Sequence, residues 1–192
     1  MADKTQIYLI VNGRRMSLAK LLKNPAQATE VYASGCTGLT TLDLPAATRV
    51  YASGCTGLTT LDLPAATEVH ARGCTGLTTL DLPAATWVDA SGCTGLTTLD
   101  LPAATEVDAS GCTGLPGFIH GGIDSRRYSF DSFLMRGQRR VFAGCRNYNL
   151  AEALEHWGPG GASDRPDCLR IVEKIIALAA NMARAGGEAV DG

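Results

Sequence analysis

CTGLTTLDLPAATRVYASG occupies residues 36–54 of the chain. The same unit of nineteen residues returns three times with few changes, beginning at Cys55, Cys74 and Cys93. A half copy over residues 28–35 precedes it, and a fifth copy ends at Pro116. Self-similarity at a fixed period of this length indicates a solenoid, because one such coil cannot bury its apolar side without neighbouring coils.

Two apolar triplets with the spacing LxxLxL define the inside of each coil. In the first unit they are Leu39, Leu42 and Leu44, followed by Ala47, Val50 and Ala52. The two-residue alternation at the end of each triplet is that of a short strand with one buried face. We therefore expect two short strands per coil and a distance of about 4.8 Å between stacked coils.

The repeat resembles the BspA-like leucine-rich repeats, in which Cys-x-x-Leu-x-x-Ile-x-Leu-Pro is followed by a second strand that ends in Ala. The matching positions of the first unit are Cys36, Leu39, Leu42, Leu44, Pro45, Val50 and Ala52. The resemblance covers residues 28–115, although the units here are shorter and lack the aromatic residue that usually follows the second-strand Ala. It implies a binding scaffold and does not name a ligand.

The residues before the repeat predict a small cap. A strand is expected over Thr5–Val11, a tight turn at Asn12-Gly13 and a short helix over residues 17–22 with Ser17 as its N-cap. The apolar side of these elements is expected to cover the first coil, since an exposed sheet edge invites aggregation.

The residues after the repeat differ from it in composition and predict a larger cap. Its predicted elements are two strands, Arg127–Phe133 and Arg139–Ala143, and two helices, Leu150–Trp157 and Pro166–Ala185. Residues 143–148, with Glu152-Ala153 and His156-Trp157 after them, are similar to a terminal module of uncharacterised phage and prophage proteins. That resemblance implies a bacterial or phage source and assigns no activity.

Together these patterns predict an α+β protein of three parts. Residues 1–27 form an α/β N-terminal cap, residues 28–115 a leucine-rich-repeat β-solenoid with two short strands per coil, and residues 116–192 an α+β C-terminal cap. The apolar runs are far shorter than the roughly 20 residues that cross a bilayer. No secretory segment precedes the first strand-like run, so we expect a cytoplasmic protein without membrane contact.

The cysteines are expected to be structural. Five of the seven recur every nineteen residues, at Cys36, Cys55, Cys74, Cys93 and Cys112. Stacked copies of one small buried residue form an internal ladder, in which free Cys behaves as a compact hydrophobe. No CxxC pair accompanies them, as a metal site would require. We therefore expect neither a metal nor another cofactor.

Charge is distributed unevenly between the repeat and its caps. Residues 28–115 carry nine acidic and two basic side chains, a net charge of −7, whereas residues 1–27 and 116–192 carry +4 and +1. Contact with phosphates requires Lys and Arg, so the solenoid is not expected to bind nucleic acid directly. The balance favours a basic protein partner. The arginine-rich cap strands are interpreted first as a solvated hairpin, with contact to the acidic face of a second copy or to an external acidic ligand as alternatives.

One Asp of every coil is expected to point outward from the first strand. These residues are Asp43, Asp62, Asp81 and Asp100. The favoured interpretation is that they are solvated and hydrogen-bonded to strand threonines such as Thr41, as exposed charges usually carry no other role. Contact with a basic partner is the second interpretation. Calcium binding is the least favoured, because Ca²⁺ takes about six or more oxygens and no glycine-rich calcium loop is present.

The copies differ mainly at two positions that flank the buried Val of the second strand. The residues before this Val are Glu30, Arg49, Glu68, Trp87 and Glu106, and those after it are Tyr32, Tyr51, His70, Asp89 and Asp108. Strand alternation turns both positions outward. A mixture of Tyr, Trp, Arg and His is what protein interfaces favour at their energetic centres. This stripe is the predicted binding site.

Two explanations of this variation remain open. Recent duplication followed by drift would alter any position that tolerates change, yet the outward Thr41 and Asp43 are the same in all four copies. Either the Thr-Asp stripe is constrained, or the stripe that varies was diversified for recognition, and we favour the second. Near-identical copies are also what consensus design produces.

Catalysis is not expected. His120 near Asp124, and Cys145 with His156, are the only nucleophile and base combinations outside the cysteine ladder, and no oxyanion or metal motif accompanies them. The predicted function is a non-enzymatic protein-binding scaffold. Two alternatives stay open: a phage or mobile-element inhibitor that acts as an acidic decoy for a host nucleic-acid-binding or defence protein, and a structural protein that assembles with itself.

Overall fold

The repeat folds into a β-solenoid of about four turns within an α+β chain. A computed structural model describes residues 8–21, 23–135, 137–144, 146–163 and 165–187. In chain order the strands are β1 Tyr8–Val11, β2 Arg14–Ser17, β3 Glu30–Tyr32, β4 Thr41–Asp43, β5 Arg49–Tyr51, β6 Thr60–Asp62, β7 Glu68–His70, β8 Thr79–Asp81, β9 Trp87–Asp89, β10 Thr98–Asp100, β11 Glu106–Asp108, β12 Ile119–Ile123, β13 Ser129–Met135, β14 Gln138–Ala143 and β15 Arg146–Asn149. The helices are α1 Leu18–Leu21, α2 Leu150–Trp157 and α3 Pro166–Gly187, with a 3₁₀ turn at Pro25–Gln27.

The two strands of each coil belong to different sheets. The second strands pair in parallel and join the N-terminal hairpin in a seven-stranded sheet of order β11-β9-β7-β5-β3-β1-β2. Equivalent residues lie opposite one another, as Val31 and Val50 do. The first strands form two parallel pairs, β4 with β6 and β8 with β10, in which Leu42 faces Leu61. The prediction of two short strands per coil is confirmed.

The predicted apolar positions fill the interior of the solenoid. In the first unit, the buried residues are Leu39, Leu42, Leu44, Ala47, Val50 and Ala52, none more than 1 % exposed. Four cysteines of the ladder, Cys55, Cys74, Cys93 and Cys112, lie inside as well, and Cys36 is half-buried. The Cys55 thiol donates a hydrogen bond to the Ala33 carbonyl at 3.0 Å, and each later cysteine of the ladder repeats this bond to the coil before it. The structural role predicted for these cysteines is confirmed.

Close stacking of the coils depends on a glycine in the turn that joins the two faces. A Cβ atom on Gly76 would stand 2.8 Å from the carbonyl oxygens of both Thr56 and Leu58 in the preceding coil. Real Cβ atoms do not approach backbone oxygens so closely, so the turn excludes every other residue type at this spacing.

The N-terminal cap extends the seven-stranded sheet by a hairpin. Its turn places Asn12 and Gly13 in the left-handed region, with φ values of 48° and 75°. The Asn12 side-chain oxygen accepts hydrogen bonds from the N–H groups of Thr29 and Glu30, and its amide donates to the Gln27 carbonyl. One side chain therefore ties the hairpin to the first coil.

The elements predicted for this cap are confirmed where the structure describes them. The hydroxyl of Ser17 accepts a hydrogen bond from the Lys20 N–H at 3.4 Å, at the start of α1. Residues 1–7 and Leu22, which carry the ends of the predicted strand and helix, lie outside the described residues. The additional strand β2 is short and half basic, and its strand conformation comes from pairing with β1.

The C-terminal cap is an antiparallel sheet of order β12-β13-β14-β15 placed between the last coil and two helices. On one side of the sheet, Phe133 and Phe142 stack at 4.3 Å and join the solenoid core. On the other side, Phe130 and Val141 pack against Trp157 and other buried residues of α2 and α3. The sheet thus closes the solenoid and has a second core of its own.

The side chain of Asp131, on β13, accepts the hydrogen bond that a further coil would otherwise accept. In the inner coils, a turn glycine such as Gly92 donates its N–H to a carbonyl of the following coil, that of Ser110 at 2.7 Å. Gly111 has no following coil, and its N–H donates to Asp131 Oδ2 at 2.9 Å instead. A buried carboxylate therefore satisfies a donor that the repeat would otherwise leave without a partner.

The two central strands and both helices of this cap agree with the predictions. The helix α2 begins at Leu150, as predicted. Asn149 caps it in a reciprocal capping box with Glu152. The strands β12 and β15 lie outside the predicted elements, because β12 contains two glycines and β15 is almost entirely polar. Within the described residues, no helix combines the length and the apolar character needed to cross a bilayer.

Candidate functional site

The ten residues of the predicted stripe lie on the outer side of strands β3, β5, β7, β9 and β11, which we call the variable face. They form two columns along the solenoid, because equivalent residues of successive coils pair in register. The first column is Glu30, Arg49, Glu68, Trp87 and Glu106, and the second is Tyr32, Tyr51, His70, Asp89 and Asp108. Buried valines between the columns anchor both to the core.

Four rings of this face stack into a continuous row, which we call the aromatic ladder. Tyr32 and Tyr51 are stacked at 4.5 Å between ring centroids, and Tyr51 and His70 also at 4.5 Å. Trp87 belongs to the other column, yet its ring leans towards His70 at 4.4 Å. Because neighbours cover both faces of Tyr51 and His70, these two rings present their edges to the outside.

Hydrogen bonds hold the aromatic ladder in place. The Tyr32 hydroxyl donates to Glu30 at 3.0 Å, and Arg49 forms an ion pair with the same carboxylate at 3.1 Å. Glu68 accepts from the Tyr51 hydroxyl at 3.1 Å and from His70 Nε2 at 2.8 Å. Each carboxylate therefore fixes two neighbouring side chains, and the ladder is ordered by contacts within the chain.

The ionisation of these groups reflects the same contacts. The hydrogen bond from His70, together with that from Tyr51, holds the pKa of Glu68 below its ordinary value. The hydrogen bond to Glu30 raises the pKa of Tyr32, and burial followed by the bond to Glu68 raises that of Tyr51. Glu68 is thus held as a carboxylate and the two phenols as neutral donors.

The stripe changes character in its last two coils. Asp89 Oδ1 accepts hydrogen bonds from the N–H and the hydroxyl of Ser91, at 2.9 and 2.6 Å. Asp108 makes the same pair of bonds with Ser110. These two carboxylates stabilise their own turns. The predicted stripe therefore consists of an aromatic part and an acidic part.

The aromatic ladder continues onto the N-terminal cap. Ile10 of β1 lies opposite Tyr32, and both side chains are substantially exposed, at 39 % and 42 %. The repeat gives no indication of this neighbour, since β1 is not a copy of the repeated unit. Alternation within β1, with Val11 buried and Ile10 exposed, is the signal that identifies it.

The four outward aspartates, Asp43, Asp62, Asp81 and Asp100, which we call the aspartate ladder, lie on the first strands of the coils, in two separate two-stranded sheets. Asp43 stands opposite Asp62, and Asp81 opposite Asp100. The first three side chains are exposed and Asp100 is half-buried. Among the described residues, the threonine hydroxyls that donate to coil carbonyls are at turn positions, Thr48, Thr59, Thr67, Thr86, Thr97 and Thr105. In the described part of the chain, Asp43, Asp62 and Asp81 form no hydrogen bond with their strand threonines, so the interpretation that pairs Asp43 with Thr41 is wrong for these three coils.

One group of potential metal ligands occurs within the described part of the chain, away from the aspartate ladder. It consists of Asp124, Asp167 and Cys168. Arg165 reaches into this group, with contacts of 3.4 Å to Asp124 and 2.9 Å to Asp167. The guanidinium supplies the positive charge that a cation would supply, so we interpret the group as an ion-pair network at the start of α3.

The side chains considered for catalysis do not form a reactive pair in the described residues. His120 Nδ1 contacts Asp131 at 2.7 Å, whereas Asp124 accepts backbone N–H groups of Arg126 and Tyr128. His156 contacts the Tyr148 hydroxyl at 3.4 Å. Cys145 lies outside the described residues.

The cysteine ladder is equally unsuited to nucleophilic chemistry. Burial raises the pKa of Cys74 to about 12, that of Cys93 to about 11 and that of Cys112 to about 12. Since the thiolate is the nucleophile and the metal ligand, these thiols are chemically inert at neutral pH.

Comparison with protein-family models, with curated proteins and with solved structures gives no match for this chain. The chain's own side chains are what indicate a function, and the variable face carries a row of stacked, hydrogen-bonded rings.

Proposed function

We propose that this protein is a non-enzymatic scaffold that binds a protein partner through the variable face. The observation that carries the proposal is the aromatic ladder, a row of four stacked rings fixed by carboxylates on an exposed, seven-stranded sheet. Tyr, Trp and Arg are the residue types that dominate the energetics of protein interfaces. The resemblance to BspA-like repeats supports the same role.

The order of the ladder favours tight recognition. Binding usually costs about 0.5–1.5 kcal/mol for each flexible side chain that becomes fixed. Stacking and hydrogen bonds have already restricted Tyr51, His70 and Glu68, so less of this cost falls on the binding step. Partners that need an exposed ring face, such as sugars that stack on aromatic rings, are disfavoured because the inner rings present edges.

The charge of the solenoid indicates the chemistry of the partner. Nine acidic and two basic side chains in residues 28–115 favour a basic protein surface. The buried thiols of Cys55, Cys74, Cys93 and Cys112 form no disulfide and are compatible with the reducing cytoplasm, and a cytoplasmic location is part of the proposal.

The test is affinity capture from a bacterial lysate with the intact protein and two triple variants. The first variant carries Tyr51→Ala, His70→Ala and Trp87→Ala on the variable face. The matched control carries Thr60→Ala, Asp62→Asn and Thr79→Ala on strands β6 and β8, on the other side of the solenoid. We expect the control to retain the partner and the first variant to lose it. Equal capture by all three proteins would show that the variable face is not the binding surface.

The aspartate ladder carries a second candidate function, that of an acidic decoy for a nucleic-acid-binding or defence protein. The observation in its favour is the row of exposed like charges at Asp43, Asp62 and Asp81. A decoy predicts capture that weakens steeply with salt and is lost in an Asp62→Asn, Asp81→Asn variant. Absence of any captured protein, together with light scattering that rises with concentration, would favour the third alternative, self-assembly.

A further inference from the structure

The C-terminal cap contains a cavity that the proposed scaffold function does not use. It has a volume of about 380 Å³ and lies where strands β13 to β15 meet the end of α2. We call it the cap pocket. Small-molecule sites typically have volumes of about 300–1,000 Å³ and combine apolar walls with a few polar groups. The cap pocket falls within this range.

Aromatic side chains form much of the wall of the cap pocket. Trp157 packs against Phe130 at 5.0 Å and against Tyr148 at 4.9 Å between ring centroids, and His156 contacts both Tyr148 and Trp157. Trp157 is only 4 % exposed, so this wall is rigid. Tyr128 is 51 % exposed and stands against Gly144, which has no side chain to occupy the pocket.

The charged lining of the cap pocket is positive. Arg126 and Arg146 both line it, and the Arg126 guanidinium lies over the Tyr128 ring at 5.3 Å. The one acidic lining residue, Asp124, is buried, and its carboxylate accepts hydrogen bonds from two backbone N–H groups and from Arg165 and forms an ion pair with Arg126 at 3.5 Å. With two arginines and one carboxylate, the lining keeps a net positive charge.

The ionisation of His156 reflects its burial in this positively charged lining. Burial, and then the positive charge of Arg146, hold the pKa of His156 below its ordinary value. His156 is therefore neutral at pH 7, and the arginines supply the charge of the pocket. A ligand that suits this lining carries a flat ring for the aromatic wall and a negative group for the guanidinium groups.

We propose that the cap pocket binds a small aromatic anion, with the ring against Tyr128 and Tyr148 and the negative group beside Arg126 and Arg146. Nucleoside monophosphates and simple aryl phosphates or carboxylates share this chemistry. The site shares no residue with the variable face, so a test of the cap pocket is not a test of the scaffold function.

The test follows Trp157 fluorescence in the full chain. The chain has two tryptophans, and Trp87→Phe leaves Trp157 as the sole reporter. Phenyl phosphate, AMP, inorganic phosphate and phenol are titrated in parallel. We expect saturable changes with the two aromatic anions and none with phosphate or phenol alone. Tighter binding of AMP would identify nucleotides as the source of the ligand, and tighter binding of phenyl phosphate would identify aryl acids.

Variants at the mouth of the pocket separate binding from folding. Arg126 and Tyr128 are more than half exposed, so Arg126→Gln and Tyr128→Ala should fold normally by circular dichroism. Loss of one charge-assisted contact should weaken binding about tenfold, whereas the control Arg72→Gln on the solenoid should leave it unchanged. No saturable change up to about 10 mM, or equal binding by Arg126→Gln, would overturn the proposal.

Discussion

The two outer faces of the solenoid arise from the same coils and carry opposite kinds of side-chain ladder. On the aspartate face, Thr stands opposite Thr and Asp opposite Asp. On the variable face, stacked rings alternate with carboxylates that accept hydrogen bonds from them. Like charges directly opposite destabilise a sheet, whereas aromatic pairs stabilise it by about 0.5–1.5 kcal/mol. Neighbouring side chains therefore repel one another on the aspartate face and attract one another on the variable face.

Sheet continuity follows the same division. The variable face lies on one seven-stranded sheet that includes the N-terminal hairpin, whereas the aspartate face lies on two separate two-stranded sheets. The interior beneath both is equally well packed, with Val69 and Leu80 at most 1 % exposed. Changes on the variable face can therefore alter the proposed binding surface while the repeated core stays constant, which is what the proposed scaffold function requires.

The largest expected effect comes from Gly76→Ala, which disturbs the turn shared by both faces. The added Cβ would meet two backbone oxygens at 2.8 Å, and forced overpacking of this kind costs about 2–3 kcal/mol. We expect both faces to unfold together at a lower denaturant concentration, measured by Trp87 fluorescence and circular dichroism. Thr75→Ala is the control, since its side chain is exposed in the same turn. A midpoint that falls equally in both variants would contradict the argument from coil stacking.

Tyr51→Ala tests the attraction on the variable face. The ring has a stacked partner on each side, so its removal should destabilise the protein by about 1–2 kcal/mol in chemical unfolding. Tyr51→Phe keeps the stack and loses only the bond to Glu68, and its cost should be about 0.5 kcal/mol. Equal losses in the two variants would mean that the hydroxyl, and not the stack, stabilises this face.

Asp62→Asn tests the repulsion on the opposite face and should change stability in the other direction. Its carboxylate stands opposite Asp43, and removal of one of two like charges should stabilise the protein by about 0.5 kcal/mol. The gain should shrink at high salt, because screening weakens the repulsion between exposed charges. Asp89→Ala on the variable face should destabilise instead, since it removes two hydrogen bonds to Ser91. A loss of stability in Asp62→Asn would show that the aspartate ladder has a stabilising role.

The sequence predicts the solenoid well because period and alternation act within each coil. The buried leucines, the cysteine ladder and the outward stripe all follow from residue spacing. The lean of Trp87 towards His70 does not follow, because alternation shows that both point outward and not which diagonal neighbour they choose. Asp89 and Asp108 each precede a serine by two residues, a spacing typical of turns in which the aspartate accepts hydrogen bonds from that serine. This spacing could have identified the two residues as turn-stabilising and distinct from the aromatic part of the stripe.

Local sequence patterns do not predict the contacts at the end of the solenoid, for a different reason. Asp131 bonds to Gly111 only because the sheet of the C-terminal cap stacks on the last coil. Such a contact depends on the relative position of two parts of the fold, and no spacing within one segment encodes it. The cap pocket depends in the same way on β15, a strand whose polar sequence does not identify it.

The smallest expected effect is a change in the pH dependence of stability at Glu68. A carboxyl whose pKa is depressed in the folded state stabilises the protein above its unfolded pKa of about 4.3 and loses this contribution as the pH falls towards the folded value. The stability difference between the unaltered chain and Glu68→Gln should therefore be largest near neutral pH and shrink below about pH 4.3. The control is the same comparison in a chain that lacks both donors, Tyr51→Phe and His70→Ala, where the dependence should be weaker. Parallel pH profiles in the two backgrounds would mean that His70 and Tyr51 do not stabilise the charged form of Glu68, and that the ladder is held by stacking alone.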